Sequence, residues 1–198
     1  MISLFLVGDG IRDEVTVPPL LEHLSGRDVK TETREWGNVR VRGGYPGKLK
    51  FVVREAIKAG ASGVVAVVDR DKETSGDRLK KLKQGRTDDR QKLLDFPTAL
   101  GEAAPHGEAW LLDDPVAVQT ALRLPTDVMI VNVRKTKDPK GEIEALRQAS
   151  PRRDEGTLDL LRDIARVVDS SRCRHANETG FDDFAKEIRS EFRDLIGD

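Results

Sequence analysis

Two apolar runs frame the chain. Residues 2–7 (ISLFLV) and 63–68 (GVVAVV) are apolar almost throughout and bounded by turn-forming or charged residues, the pattern of strands buried on both faces. Between them, Leu49, Val52, Val53, Ala56 and Ile57 recur at helical spacing, and Gly60 supplies a stop. The runs 108–112 (EAWLL) and 127–133 (DVMIVNV) predict two further strands. Helices are predicted over 17–25, 47–59, 88–103, 114–123, 139–149, 155–169 and 181–196, with Pro115 at a first helical position. Strands alternating with helices imply an α/β fold: a mostly parallel central sheet, 2–7 beside 63–68 at its centre, and helices on both faces. The polar stretch 72–92 (KETSGDRLKKLKQGRTDDRQK) reads as an excursion over one edge, and 139–198 as the C-terminal helical part of one domain, residues 1–198.

The tips of both central strands are acidic. The first runs into Gly8-Asp9-Gly10, with Asp13 one helical turn on; the second ends in Asp69-Arg70-Asp71. Each tip alone suits a turn or a helix start. In a parallel sheet, however, loops at the carboxyl ends of neighbouring strands converge, which brings Asp9, Asp13, Asp69 and Asp71 towards one point. Carboxylates so grouped repel one another unless a hard cation neutralises them. Other acid-tipped folds fit less well. A GxGxxG dinucleotide loop fails because Asp13 stands where the third glycine belongs, and a DxDx(T/V) phosphatase motif fails because Glu73 fills the last place and Thr74 comes one residue late.

Composition narrows the class. The 198 residues are 37% hydrophobic and 35% charged, with no apolar run near the roughly 20 residues of a membrane span and no export-type N-terminus, which predicts a soluble cytoplasmic protein. The single cysteine, Cys173, leaves no intramolecular disulfide and suits a reducing compartment. A net charge of −1 argues against coating nucleic acid by bulk electrostatics, and leaves room for a local basic groove.

The motifs in order resemble a known family. "VGDGIRDEVTVPPLLEHL" resembles the (G)EGxTD/E opening of Toprim-like domains of the OLD-nuclease type, and "VVAVVDRDK" their DxD strand. "GEAWLLDDPVAV", "KDPKGEIEAL" and "TGFDDFAKEIRSEF" are similar to the EAWLLAD segment, the PK-helix and the closing helix of small stand-alone bacterial Toprim-like proteins. The likeness runs through nearly the whole chain. It implies a Toprim-like nuclease, or another phosphodiester-acting protein, that uses Mg²⁺ or Mn²⁺. In that reading Asp69 and Asp71 are metal ligands, Asp9 and Asp13 complete one or two sites, Glu108 is a further ligand or base, and Lys140 (with Lys137 as competitor) is a phosphate-facing cation. One departure matters: Asp9 stands where the family has glutamate. A carboxylate is kept, but the arm loses a methylene, which puts a general-base role there in question.

Nucleic acid, DNA ahead of RNA, is the implied partner. Candidate contacts are Arg40, Arg42, Lys48 and Lys50 in 38–50, and Arg78, Lys80, Lys81, Lys83 and Arg86 further on. Because the chain has no G-x-x-x-x-G-K-(S/T) loop, the resemblance points to a separately encoded ABC/AAA-type ATPase, in the setting of anti-phage defence. The competing reading is a catalytically inactive Toprim-like binding or regulatory module. His23 and His106 have no visible partner in the sequence, Cys173 and His175 supply too few ligands for zinc, and Trp36 and Trp110 read as packing anchors.

Overall fold

A computed structural model of the chain describes residues 1–70, 77–90 and 95–197, with the side chains of Asp89 and Arg90 left out. The sheet has four strands, β1 (Ile2–Gly8), β2 (Val29–Glu35), β3 (Gly63–Asp69) and β4 (Thr98–Ala103), in the order β2-β1-β3-β4. All three pairings are parallel. The two apolar runs are therefore the central strands, side by side, with Leu4 opposite Gly63 and Val7 opposite Ala66.

The connections decide which helix covers which face. From β1 the chain crosses to one side through α1 (Ile11–Ser25) and returns past β1 to the other side through α2 (Gly44–Lys58). Crossovers of one hand, taken in opposite directions, put their helices on opposite faces. Accordingly Leu20, Leu21 and Leu24 pack with Leu4, Leu6, Val65 and Val67 on one face, while Leu49, Val52 and Ala56 pack with Phe5, Val7, Val64 and Val68 on the other. The chain changes direction between β1 and β3, so a crevice opens at their carboxyl ends.

Helix α3 (Asp77–Arg90) lies with α2; α4 (Glu108–Leu112), α5 (Pro115–Leu122), α6 (Pro139–Ala149), α7 (Thr157–Val167), α8 (Ala176–Thr179), α9 (Phe181–Glu191) and α10 (Arg193–Ile196) complete the α1 side and the edge beyond β4. Local chemistry places several starts. Asp114 and Asp138 each stand before a proline, and their carboxylates accept from Ala117 N–H at 3.1 Å and Gly141 N–H at 3.0 Å, capping α5 and α6.

Four expectations need correction. EAWLL is helix α4, not a strand: all five residues are buried, and a short helix buried all round shows the same unbroken apolar run as a strand. Residues 127–133 form no strand; the segment runs over the surface, with Met129 85% exposed, and ends in a 3₁₀ turn at Val133–Lys135. The span 88–103 holds the end of α3 and strand β4 rather than one helix. Within the expected polar excursion, 77–90 is helix, and 71–76 and 91–92 lie outside the described residues. Strand β2 was not among the expected strands, because an edge strand such as VKTETRE exposes Lys30 and Glu32 and alternates only weakly. No helix among the described residues is long and apolar enough to cross a membrane.

Candidate metal centre

The acids meet at the crevice between β1 and β3. Strand β1 leads into Gly8, where a Cβ would sit 2.6 Å from that of Asp13; only glycine lets the first turn of α1 fold back so closely. Asp13 Oδ2 then accepts from the Asp9 N–H at 2.7 Å and the Gly10 N–H at 3.3 Å. Asp9 Oδ2 in turn accepts from the Asp69 N–H at 2.7 Å, which ties the tip of β1 to that of β3, and from Arg78 Nη1 of α3 at 3.2 Å. Asp69 is surrounded by donors: His106 Nδ1 lies 3.0 Å and Lys140 Nζ 3.7 Å from Oδ2, and the Gly107 N–H donates to Oδ1 at 3.2 Å. At the same edge Glu108 is buried and paired with Arg12 of α1 at 2.5 Å.

Burial beside a second carboxylate changes the protonation of Asp13 and Asp69. Asp13 is pushed up to about 7, first by burial and then by the charge of Asp69, against the opposing pull of its backbone hydrogen bonds. Asp69 is also raised, by burial above all, with His106 and Lys140 holding it back. Near neutral pH Asp13 is thus poised between its protonated and charged forms.

Whether a divalent ion fits depends on the remaining oxygens. As the side chains lie, no three His, Cys, Asp or Glu groups among the described residues are arranged to hold a metal. The N–H donors occupy Oδ2 of Asp9 and of Asp13 and both oxygens of Asp69, leaving Oδ1 of Asp9 and of Asp13. That set does not make a closed protein cage. It fits the habit of Mg²⁺, which keeps several waters and takes one or two carboxylates.

Of the predicted site residues, Asp9, Asp13, Asp69 and Lys140 come together, and Glu108 stands at their edge. Lys140 rather than the exposed Lys137 reaches Asp69. Asp71 lies outside the described residues. The basic stretch divides: Arg40 and Arg42 are exposed on the loop after β2, on the same sheet edge, whereas Lys48 donates to the Trp36 carbonyl at 2.6 Å and Lys50 pairs with Asp88 at 3.4 Å. Those two lysines are held by the protein itself. In the second basic segment Arg86 binds Glu187 at 2.5 Å and the Thr98 carbonyl at 2.8 Å. Trp36 and Trp110 are packing anchors, each buried and donating its indole N–H to a carbonyl, Val67 and Thr179, at 2.8 Å.

Sequence reading missed Arg12 and His106 as members of this site, and had Arg78 only as a contact to the nucleic-acid backbone. His106 carried one usable signal: it follows β4, so recognising 98–103 as a strand would have put it at the carboxyl edge. Compared with protein-family models, curated proteins and solved structures, the chain matches none.

Proposed function

We propose that this protein is a Mg²⁺- or Mn²⁺-dependent phosphodiester hydrolase of Toprim-like type, acting on nucleic acid. One observation carries the reading: three carboxylates, Asp9, Asp13 and Asp69, meet at the strand-order reversal with Lys140 3.7 Å from Asp69. Half-buried acids beside half-buried cations are what a site needs when it must hold first a metal and then a phosphate. Asp9 and Asp13 would hold the ion through Oδ1, with Asp69 and Asp71 as the further ligands that the resemblance implies. When bound, such an ion polarises a phosphoryl oxygen and makes a bound water more acidic. Lys140 and Arg78 offset the negative charge of an incoming phosphodiester and of its transition state. The Arg12–Glu108 pair fixes α4 against the first turn of α1 and so holds the edge of the site in place. Arg40 and Arg42 on the same sheet edge support a nucleic-acid backbone passing over it. DNA ahead of RNA, a separately encoded ABC/AAA-type ATPase and a place in phage defence rest on the resemblance alone.

A second reading keeps its own support. Asp9 is shorter than the family's glutamate and already engaged by Arg78 and the Asp69 N–H, as befits a binding or regulatory module without turnover. Cleavage of single- and double-stranded DNA and RNA, with Mg²⁺ and with Mn²⁺, separates the two. The hydrolase reading expects metal-dependent cleavage that Asp69→Ala abolishes. Identical background from wild type and Asp69→Ala under every condition, including with an ATPase partner supplied, rejects it and leaves the binding module.

A further inference from the structure

The two edges of the sheet are treated differently. The outer N–H groups of Thr98 and Leu100 in β4 are met by Glu191 and Glu187 of α9, whereas the outer edge of β2 is open. The ladder shows which groups face out. The Ile2 N–H donates to the Asp28 carbonyl at 2.8 Å, and Ile2 stands opposite Val29. Successive residues of a strand turn their backbone groups to opposite sides, so Asp28, Lys30, Glu32 and Arg34 face β1, while Val29, Thr31, Thr33 and Glu35 face outwards. Exposed Glu22 covers the Val29 N–H at 3.3 Å. The outward backbone groups of Thr31 and Thr33 have no hydrogen-bond partner among the described residues.

What can pair there is set by the side chains. Lys30, Glu32 and Arg34 lie on the same face as Phe5, whose ring carries the Arg34 guanidinium at 5.7 Å. Charges on an edge normally deter strand addition. Here their signs alternate, and an antiparallel second copy of β2 turns that deterrent into a register. With Thr31 on the two-fold axis, Lys30 falls opposite Glu32 and Asp28 opposite Arg34 of the other copy, each pair twice. These are the positions without backbone bonds, where side chains approach most closely. On the other face Thr31 meets Thr31 and Val29 meets Thr33, β-branched residues suited to cross-strand contact. Their outward N–H and C=O groups are the ones exchanged between the copies. Moving the axis to Lys30 or to Glu32 sets like charges opposite each other. An axis on Thr33 runs Lys30 and Asp28 into the 3₁₀ turn at Trp36–Asn38, where the strand has ended.

We propose that the β2 edge is a self-recognition surface: two copies of this chain join antiparallel through β2, with Thr31 on the two-fold axis, into one continuous eight-stranded sheet. The contact uses the same patch on both copies, and the closed β4 edges stop growth at two. Because the strands run in opposite directions across the axis, the two acidic crevices stand at opposite ends of the joint sheet. The pairing is therefore independent of the hydrolase reading.

The test is sedimentation velocity of the full chain over a concentration series in EDTA. Wild type is expected to pass from monomer to dimer with a dissociation constant on the order of 10–100 µM, and to do so less readily at high salt. Lys30→Glu sets an acid against Glu32 of the other copy, and Glu32→Lys a base against Lys30; each alone is expected to weaken the dimer at least about tenfold. Mixing the two variants restores both pairs, so the mixture is expected to associate as wild type does. Thr31→Pro removes the N–H on the axis without touching the β1 ladder, and is expected to leave a monomer. Should one charge variant fail to fold, Thr31→Pro and the double variant carrying both exchanges, expected to dimerise like wild type, decide instead. A wild type that stays monomeric, leaving the edge to some other strand, would overturn the proposal. So would a dimer that survives Thr31→Pro, or charge variants that leave the dimer intact or fail to recover on mixing.

Discussion

Asp13 shows how one residue joins structure to chemistry. Its carboxylate caps the helix it belongs to and stands beside Asp69, so the same burial that orders the first turn of α1 makes its charge costly. The folded-state value near 7 lies above the ordinary 3.8, so the folded chain holds this proton more tightly than the unfolded one. Its contribution to stability is thus full below pH 3.8 and is lost as pH rises through about 7; Asp69 shifts in the same direction. Melts in EDTA should give lower stability at pH 8 than at pH 5 by on the order of 2 kcal/mol from this group, and Asp13→Asn, which keeps an acceptor for both N–H groups, should flatten the difference. An unchanged pH slope in the variant would show that Asp13 is not the group responsible. Because protons compete with metal, millimolar Mg²⁺ should raise the melting temperature more at pH 8 than at pH 5, and Asp69→Asn should remove that gain. In the same pocket Lys140→Ala should lower kcat by about tenfold or more with little change in KM, as for a group acting on transition-state charge. A rise in KM at constant kcat would make it a binding residue instead.

At the scale of elements, the far edge of the sheet is managed by side chains. The outward N–H groups of Thr98 and Leu100 in β4 are taken by Glu191 at 3.2 Å and Glu187 at 3.4 Å, four residues apart on α9, and Arg86 of α3 neutralises both acids. An exposed strand edge invites pairing with other chains, and this ladder of acids closes it. Close packing completes the cover: a Cβ on Gly101 would lie 2.6 Å from the Phe184 ring, so position 101 of β4 admits only glycine without a shift. Glu191→Ala leaves an N–H and part of a guanidinium unmatched, and should cost about 1–3 kcal/mol in urea unfolding, with more aggregation at the midpoint. A loss below 0.5 kcal/mol would mean that water replaces the carboxylate without penalty.

For the whole molecule, the proposed substrate is a polyanion while the chain's net charge is −1. With Lys48 and Lys50 engaged internally, Arg40 and Arg42 are the members of the predicted basic stretch left exposed. DNA binding by the isolated chain should therefore be weak, with a log–log salt slope of only about −2 to −4; Arg40→Ala and Arg42→Ala should each reduce it by about 1. Fluorescence anisotropy from 50 to 200 mM salt measures the slope, and a steep slope untouched by both variants would place the DNA elsewhere on the surface.

The residues 2–7 and 63–68 determined by themselves that two strands are buried on both faces and lie parallel at the centre, because such unbroken apolar runs have few other places to go. The acids that follow them likewise placed Asp9, Asp13 and Asp69 at one sheet edge, since in a parallel sheet a strand's end and its neighbour's end coincide. Asp114-Pro115 and Asp138-Pro139 marked helix starts through capping, which is local chemistry. Tertiary structure alone decided the rest. TALGEA has little strand preference of its own and is β4 where it pairs with β3, packs Gly101 under Phe184 and gives its outward N–H groups to the α9 acids. EAWLL is enclosed on every side, a condition that leaves no periodicity by which its helix could be told from a strand. His106 and Arg78 join the site across 37 and 69 positions of sequence, and Glu102 keeps a bare oxygen because Arg70 can reach only its other one. These outcomes depend on where distant segments arrive, and no stretch of chain carries that in its own pattern.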